Sequence, residues 1–172
     1  MSADEIRTQV EEWINTVGTQ MQNLTEQNRN LIPNLDFLYQ VGVVVFSLLT
    51  NRLDRVNVFA QVGLSPEHQE AISHLQGVEL GKFMEEIITP AHFVGLSLSF
   101  LPDQQNPNRV SMIKIWGWID TESMNREQFF KLWDKVAHLE HDTIRRIQNQ
   151  FSPGSINLGN QATDSGVTPG VS

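Results

Sequence analysis

The apolar residues at the start of the chain recur at intervals of three and four, which is the spacing of one face of a helix. Ser2 and Glu5 stand where a helix-capping pair is expected, so a first helix should begin there. The stripe that follows is about thirty residues long and consists of Ile6, Val10, Trp13, Val17, Met21, Leu24 and Leu31. It is narrow, as in a bundle or a coiled coil, and predicts a seam against a partner helix.

Two further helices are predicted before residue 90. Helical spacing continues over residues 37–59, where the cluster of valines at 43–45 also suits a buried strand; the length of the segment favours a helix. Ser65 followed by Pro66 is a clear helix start, and the third helix should run from Pro66 to about Ile88.

The period changes to two after Pro90, which predicts strands. Residues 94–100 alternate between apolar and small side chains, and a second strand is predicted over 109–119. The polar segment between them, rich in proline and asparagine, predicts the turn of one β-hairpin spanning about residues 92–119.

A last helix is predicted from about Asn125 to Phe151, with aromatic and aliphatic residues on one side. Residues 152–172 lack aromatic side chains and predict a flexible C-terminal tail. The predicted fold class is therefore mainly α (α+β), a helical bundle of about four helices with one β-hairpin, in a single domain over residues 1–151.

Composition and charge narrow the class of protein. Hydrophobic residues make up 40% of the chain and charged residues 19%, which predicts a globular protein. The net charge of −8 disfavours a nucleic-acid partner, and the absence of cysteine excludes disulfides and thiolate metal sites. The most apolar run, residues 41–49, is shorter than a membrane span, and the acidic N-terminus does not resemble a secretion signal. We expect a cytoplasmic location, with a virion as the alternative, and no cofactor.

One cluster of metal-ligating residues lies in the last predicted helix. His138, His141 and Asp142 stand three and four apart and can share a helix face, as metal ligands must. The helical zinc-protease pattern is absent, and a ligand from another element would be required. A solvated polar face is the simpler interpretation.

Trp116 and Trp118 are two residues apart, so they project from the same face of the second strand, together with Lys114. They could stack on a planar ligand, although a role in the core is the simpler interpretation. Ile113 and Ile115 make the opposite face apolar as well, which predicts that this strand is sandwiched or forms part of an interface. The predicted interface residues are Trp13, Val17, Met21, Ile113, Ile115, Trp116 and Trp118.

Four arginines lie near the predicted ends of the second and last helices: Arg52, Arg55, Arg145 and Arg146. Their interaction with the helix dipole explains them without a ligand, although converging helix ends would form a small phosphate site. The chain contains no nucleophile-elbow, phosphate-loop or dinucleotide-binding motif, which argues against an enzyme.

The sequence therefore favours a non-catalytic subunit that assembles with copies of itself or with a protein partner. One alternative is a viral coat or nucleoprotein subunit that binds nucleic acid through Arg52, Arg55, Arg145 and Arg146. A second alternative is a metal-dependent enzyme centred on His138, His141 and Asp142.

Overall fold

The computed structural model describes residues 1–151, which form five helices and six strands. In chain order the elements are α1 (Ala3–Thr16), β1 (Met21–Asn23), α2 (Thr25–Asn28), β2 (Leu35–Val41), β3 (Val44–Leu49), β4 (Arg52–Gly63), α3 (Pro66–Ser73), α4 (Gly77–Phe93), β5 (Ser97–Pro102), β6 (Val110–Asp120) and α5 (Arg126–Phe151). The predicted tail, residues 152–172, lies outside the described residues.

The strands form one antiparallel sheet with the order β1-β2-β3-β4-β6-β5. The prediction of a helical bundle with one β-hairpin is therefore wrong: the fold is α+β, with helices packed against a six-stranded sheet. The predicted central helix over residues 37–59 lies almost entirely in β2, β3 and β4.

Gly42 lies in the tight turn between β2 and β3, which the prediction of a helix over residues 37–59 did not include. Val41 pairs with Val44 across a two-residue loop, and Gly42 opens that loop with a φ of 58°. A glycine with positive φ in the first loop position is typical of tight β-hairpins. The strands on either side are buried on much of both faces, so apolar residues occur at both sets of alternating positions and weaken the alternation that identifies a strand.

The first predicted helix is shorter than expected. Its capping pair is confirmed: the Ser2 hydroxyl accepts a hydrogen bond from the Glu5 backbone (3.3 Å), and the Glu5 carboxylate accepts one from the Ser2 backbone (2.6 Å). The helix ends at Thr16, and Gly18 follows with a φ of 70°. Residues 21–28, assigned by spacing to the same helix, form β1 and α2 instead.

The other helices follow the sequence more closely. The third predicted helix divides into α3 and α4 at Gly77, which has a φ of 53°. The predicted β-hairpin is confirmed as β5 and β6, and the last helix is confirmed as α5. None of the helices within residues 1–151 combines the length and apolar character that a membrane span requires.

The main core lies between the sheet and the helices α1, α3, α4 and α5. At its centre the ring of Phe129 from α5 lies 5.0 Å from that of Phe46 on β3 and 5.3 Å from that of Trp13 on α1. A smaller apolar cluster covers part of the opposite face of the sheet beneath the segment that contains α2. We call it the second cluster, and its buried members are Leu24, Ile32, Leu35, Leu38, Val45 and Phe59.

Candidate functional site

The face of the sheet opposite the main core carries a surface of aromatic and polar side chains beyond the second cluster. The strand register brings them together: Asn57 lies opposite Trp118, Gln61 opposite Lys114, and Ser99 on the other side of Lys114. We call this surface the tryptophan patch and define it by Arg55, Asn57, Gln61, Ser97, Ser99, Lys114, Trp116 and Trp118. Among residues 1–151 no helix packs over it.

Alternation along β6 explains why the two tryptophans face outward. Ile113 and Ile115 are fully buried toward the helices, so Lys114, Trp116 and Trp118 project from the opposite face. Gly117 points toward the helices, where a methyl group on its Cα would come within 3.0 Å of the Leu132 side chain. The β6 strand thus lies close beneath α5 and presents its bulky residues to the other side.

The two indole rings form the centre of the patch. Their centroids are 5.7 Å apart with an interplanar angle of 31°. Trp116 is partly buried because it packs against the second cluster, and its Nε1 donates a hydrogen bond to the Ser99 hydroxyl (3.4 Å). Trp118 is 48% exposed, and the guanidinium carbon of Arg55 lies 5.2 Å from its ring centroid. The pair is a pre-formed aromatic surface that is open to solvent on one side.

The two cations of the patch differ in their surroundings. Arg55 forms an ion pair with Asp54 (2.9 Å), its neighbour in the chain. The Lys114 ammonium instead lies 4.7 Å from the ring centroid of Phe59, and partial burial lowers the pKa of this lysine. Within residues 1–151 no carboxylate forms an ion pair with Lys114. This half-buried cation can therefore accept an anionic partner.

The predicted interface residues are distributed over several environments. Trp13, Ile113 and Ile115 lie inside the main core, where a partner cannot contact them in the folded protein. Val17 is exposed just after α1, and Met21 packs at the margin of the main core. Of the seven residues, only Trp116 and Trp118 belong to the tryptophan patch.

Of the β4 residues of the patch, the sequence analysis singled out Arg55, as a nucleic-acid candidate, and did not include Asn57 or Gln61, because that segment was assigned to a helix. The alternation of Val56, Val58, Ala60 and Val62 with the polar residues Asn57 and Gln61, interrupted by Phe59, was the available signal. The nearly continuous apolar run of residues 41–49 precedes this alternation, and the combined length of the two segments favoured the prediction of a helix.

The metal-ligand candidates do not converge. The imidazole of His138 is exposed and hydrogen-bonded to the Asp134 carbonyl oxygen (2.8 Å), whereas the Asp142 carboxylate contacts both Arg145 (2.6 Å) and Arg146 (2.6 Å). These arginines hold the pKa of Asp142 below its ordinary value against the opposing effect of burial. No set of three potential metal ligands is grouped within residues 1–151.

The arginine candidates are also dispersed. Arg145 and Arg146 form ion pairs with Asp142 on the same helix, and Arg55 pairs with Asp54. Arg52 is exposed at the start of β4. Because β4 replaces the predicted second helix, the predicted convergence of two helix ends does not occur.

Two surface grooves lie outside the tryptophan patch. A groove of about 410 Å³ is lined by Glu86, Arg146, Asn149 and Gln150. The second, of about 290 Å³, is lined mostly by apolar residues of α3, α4 and the β-hairpin, with Ser73 and Asn108 as its polar side chains. Neither lining combines a nucleophile with a general base, so neither groove suggests a reaction.

The architecture defines an α+β protein in which one face of a six-stranded antiparallel sheet is covered by helices and the other is partly open. The chain belongs to the family described as "Uncharacterized conserved protein (DUF2299)", whose model matches residues 6–145. The fold is similar to that of the crystal structure of an uncharacterized protein from Methanothermobacter thermautotrophicus, with a TM-score of 0.65 and 15% sequence identity. That similarity covers 87% of this chain and 99% of the other. No curated protein matches the sequence.

Proposed function

We propose that this protein is a non-catalytic binding module that docks a protein partner on the tryptophan patch. The observation that carries the proposal is the half-exposed Trp118 beside Trp116 on a sheet face that no helix covers within residues 1–151. Tryptophan and arginine are enriched among residues that dominate protein interfaces, because they combine a large apolar surface with polar groups. Arg55 over the Trp118 ring supplies that combination here.

The shape of the patch also favours a macromolecular partner over a small molecule. Sites for small ligands are usually concave and enclose most of the ligand surface. The patch is instead carried on the surface of three neighbouring strands, β4, β6 and β5, with small serines on β5. A protein segment can cover such a surface and bury both tryptophans together.

The test is a comparison of two aromatic substitutions at exposed positions. Wild-type protein, Trp118→Ser and Phe93→Ser are used as baits in cells that express the natural chain, and captured proteins are quantified by mass spectrometry. Phe93 is the matched control because it is an aromatic side chain, 87% exposed, at the end of α4 and not among the residues that define the patch. We expect a partner that is captured by wild type and Phe93→Ser and lost with Trp118→Ser. Equal capture by all three baits would overturn the proposal.

A further inference from the structure

Lys114 lies in the middle of a row of hydrogen-bond donors that crosses three strands. Its cross-strand neighbours on the open face are Gln61 on β4 and Ser99 on β5. Directly opposed residues of an antiparallel sheet have Cβ atoms about 5 Å apart, so the side chains of Gln61, Lys114 and Ser99 leave the sheet next to one another, with the Lys114 ammonium over the Phe59 ring. The Ser99 oxygen accepts from Trp116, which leaves its O–H bond to donate elsewhere. We call these three residues the donor row.

The donor row matches the chemistry of a carboxylate. An ionised carboxylate only accepts hydrogen bonds, and its bonds with a cation are among the strongest in proteins. The Lys114 ammonium lacks a carboxylate partner within residues 1–151 and is partly withdrawn from water, where an ion pair is screened less than at a fully exposed surface. The net charge of −8 on the chain repels an acidic partner at long range, so the attraction for a carboxylate is the local one of Lys114, a half-buried cation without a carboxylate partner within residues 1–151.

The tryptophans continue from the donor row at the spacing of an extended peptide. Lys114, Trp116 and Trp118 are successive outward residues of β6, so their Cα atoms are separated by about 7 Å at each step. Side chains on one side of any extended segment have the same spacing. A segment lying along β6 can therefore place an acidic side chain on the donor row and two apolar side chains on the indole rings.

We propose that the partner segment bound by the tryptophan patch is extended and carries an acidic residue followed, at intervals of two residues, by aromatic or apolar residues. This inference rests on the proposed function and specifies the chemistry of the partner. The carboxylate binds Lys114 with Ser99 and Gln61, and the apolar side chains cover Trp116 and Trp118.

The test uses a fluorescein-labelled peptide, Tyr-Thr-Tyr-Thr-Glu-Thr-Tyr-Thr-Tyr, which presents the spacing in both directions from its single acid. A second peptide has Gln in place of Glu. Fluorescence anisotropy is measured with the full chain, and we expect the Glu peptide to bind about tenfold more tightly than the Gln peptide. Lys114→Met should remove this difference while preserving the aliphatic stem of the lysine. Lys131→Met, at an exposed lysine on α5, is the matched control and should retain it.

The outcomes separate this inference from the proposed function. Equal binding of the two peptides to wild type, no binding of the Glu peptide, or a preference that survives Lys114→Met would overturn the acidic motif. If both peptides bind equally and Trp118→Ser weakens both, the patch still docks protein segments and only the motif is wrong. If Trp118→Ser leaves binding unchanged, or if labelled oligouridylate binds the patch in preference to either peptide, the proposed function fails as well. Thermal melting of each variant checks that the fold is retained.

Discussion

Glu140 is a buried carboxyl group whose ionisation should oppose folding. Its side chain is 2% exposed on α5, and the Oε2 atom has no hydrogen-bond partner within residues 1–151. Burial raises the pKa of Glu140 above its ordinary value of 4.5, and the exposed His141, with its Nδ1 atom 3.5 Å from Oε2, offsets this only in part. We predict that Glu140→Gln stabilises the protein at neutral pH.

The magnitude follows from the cost of the buried charge. A buried acceptor without a partner costs about 1–3 kcal/mol, and a charged one costs more. Because glutamine also leaves a polar group in the same position, we expect a gain in the free energy of unfolding of about 1 kcal/mol near pH 7.5. For a chain of this size that corresponds to about 2–4 °C in melting temperature.

The pH dependence identifies the cause. A carboxyl group with a raised pKa in the folded state binds more protons there than in the unfolded state, so its contribution to stability falls as the pH rises from 4.5 through the folded-state pKa. Below 4.5 the group is largely protonated in both states, so the part of the difference between Glu140→Gln and wild type that comes from ionisation should disappear.

Urea unfolding followed by tryptophan fluorescence, at about pH 7.5 and about pH 4, measures that difference. Glu85→Gln, at an exposed carboxyl on α4, is the control and should change stability little at either pH. A stabilisation by Glu140→Gln that is equal at the two pH values, or a destabilisation near pH 7.5, would refute the reasoning.

Two further predictions concern the main core. Gly117→Val should destabilise the protein by about 1–3 kcal/mol, because the added carbon atoms would enter space occupied by the Leu96 and Leu132 side chains. Urea unfolding measures this change in the free energy of unfolding. An unchanged free energy of unfolding would contradict the close packing of β6 beneath α5. Burial, together with a hydrogen bond donated to the Glu11 carboxylate, raises the pKa of Tyr39, the only tyrosine in the chain. Ultraviolet titration should therefore detect tyrosinate near pH 10 only in urea-unfolded protein, since about 10 is the ordinary value; its appearance in folded protein at that pH would contradict this prediction.

The elements predicted correctly from the sequence are those whose signal is local. The capping pair of Ser2 and Glu5 fixes the start of α1, and the alternation in residues 94–100, followed by a turn segment rich in proline and asparagine, identifies the β-hairpin of β5 and β6. The spacing of Trp116 and Trp118 also predicted correctly that they share one face of β6, but the simpler interpretation placed both in the core, whereas Trp118 is 48% exposed on the face away from the helices. The correctly predicted features depend on neighbours in the chain and do not require knowledge of what packs above or below them.

The error over residues 37–59 has a tertiary cause. Strands β2 and β3 are covered by helices on one face and in part by the second cluster on the other, so apolar residues such as Leu38 and Val45 also occur on the face away from the helices. Two-sided burial weakens the period of two, and length then favours a helix. Gly42, near the start of the apolar run, and the polar pair Thr50 and Asn51, between β3 and β4, were the local signs of turns.

The candidate site was only half predictable for the same reason. Lys114 and the two tryptophans share one strand, so their grouping follows from the sequence. The residues beside them, Gln61 and Ser99, come from strands whose order in the sheet places β6 between β4 and β5. No pattern within a single segment specifies that order.

Site-specific photocrosslinking tests the role of the tryptophan patch most directly. Benzoylphenylalanine replaces Trp118 in one variant and Lys82, an exposed residue of α4, in another, and each is irradiated in cells that express the natural chain. We predict a defined protein adduct from position 118 and none from position 82. Adducts from position 82 alone, or an adduct at position 118 that contains nucleic acid instead of protein, would contradict docking of a protein partner on this face.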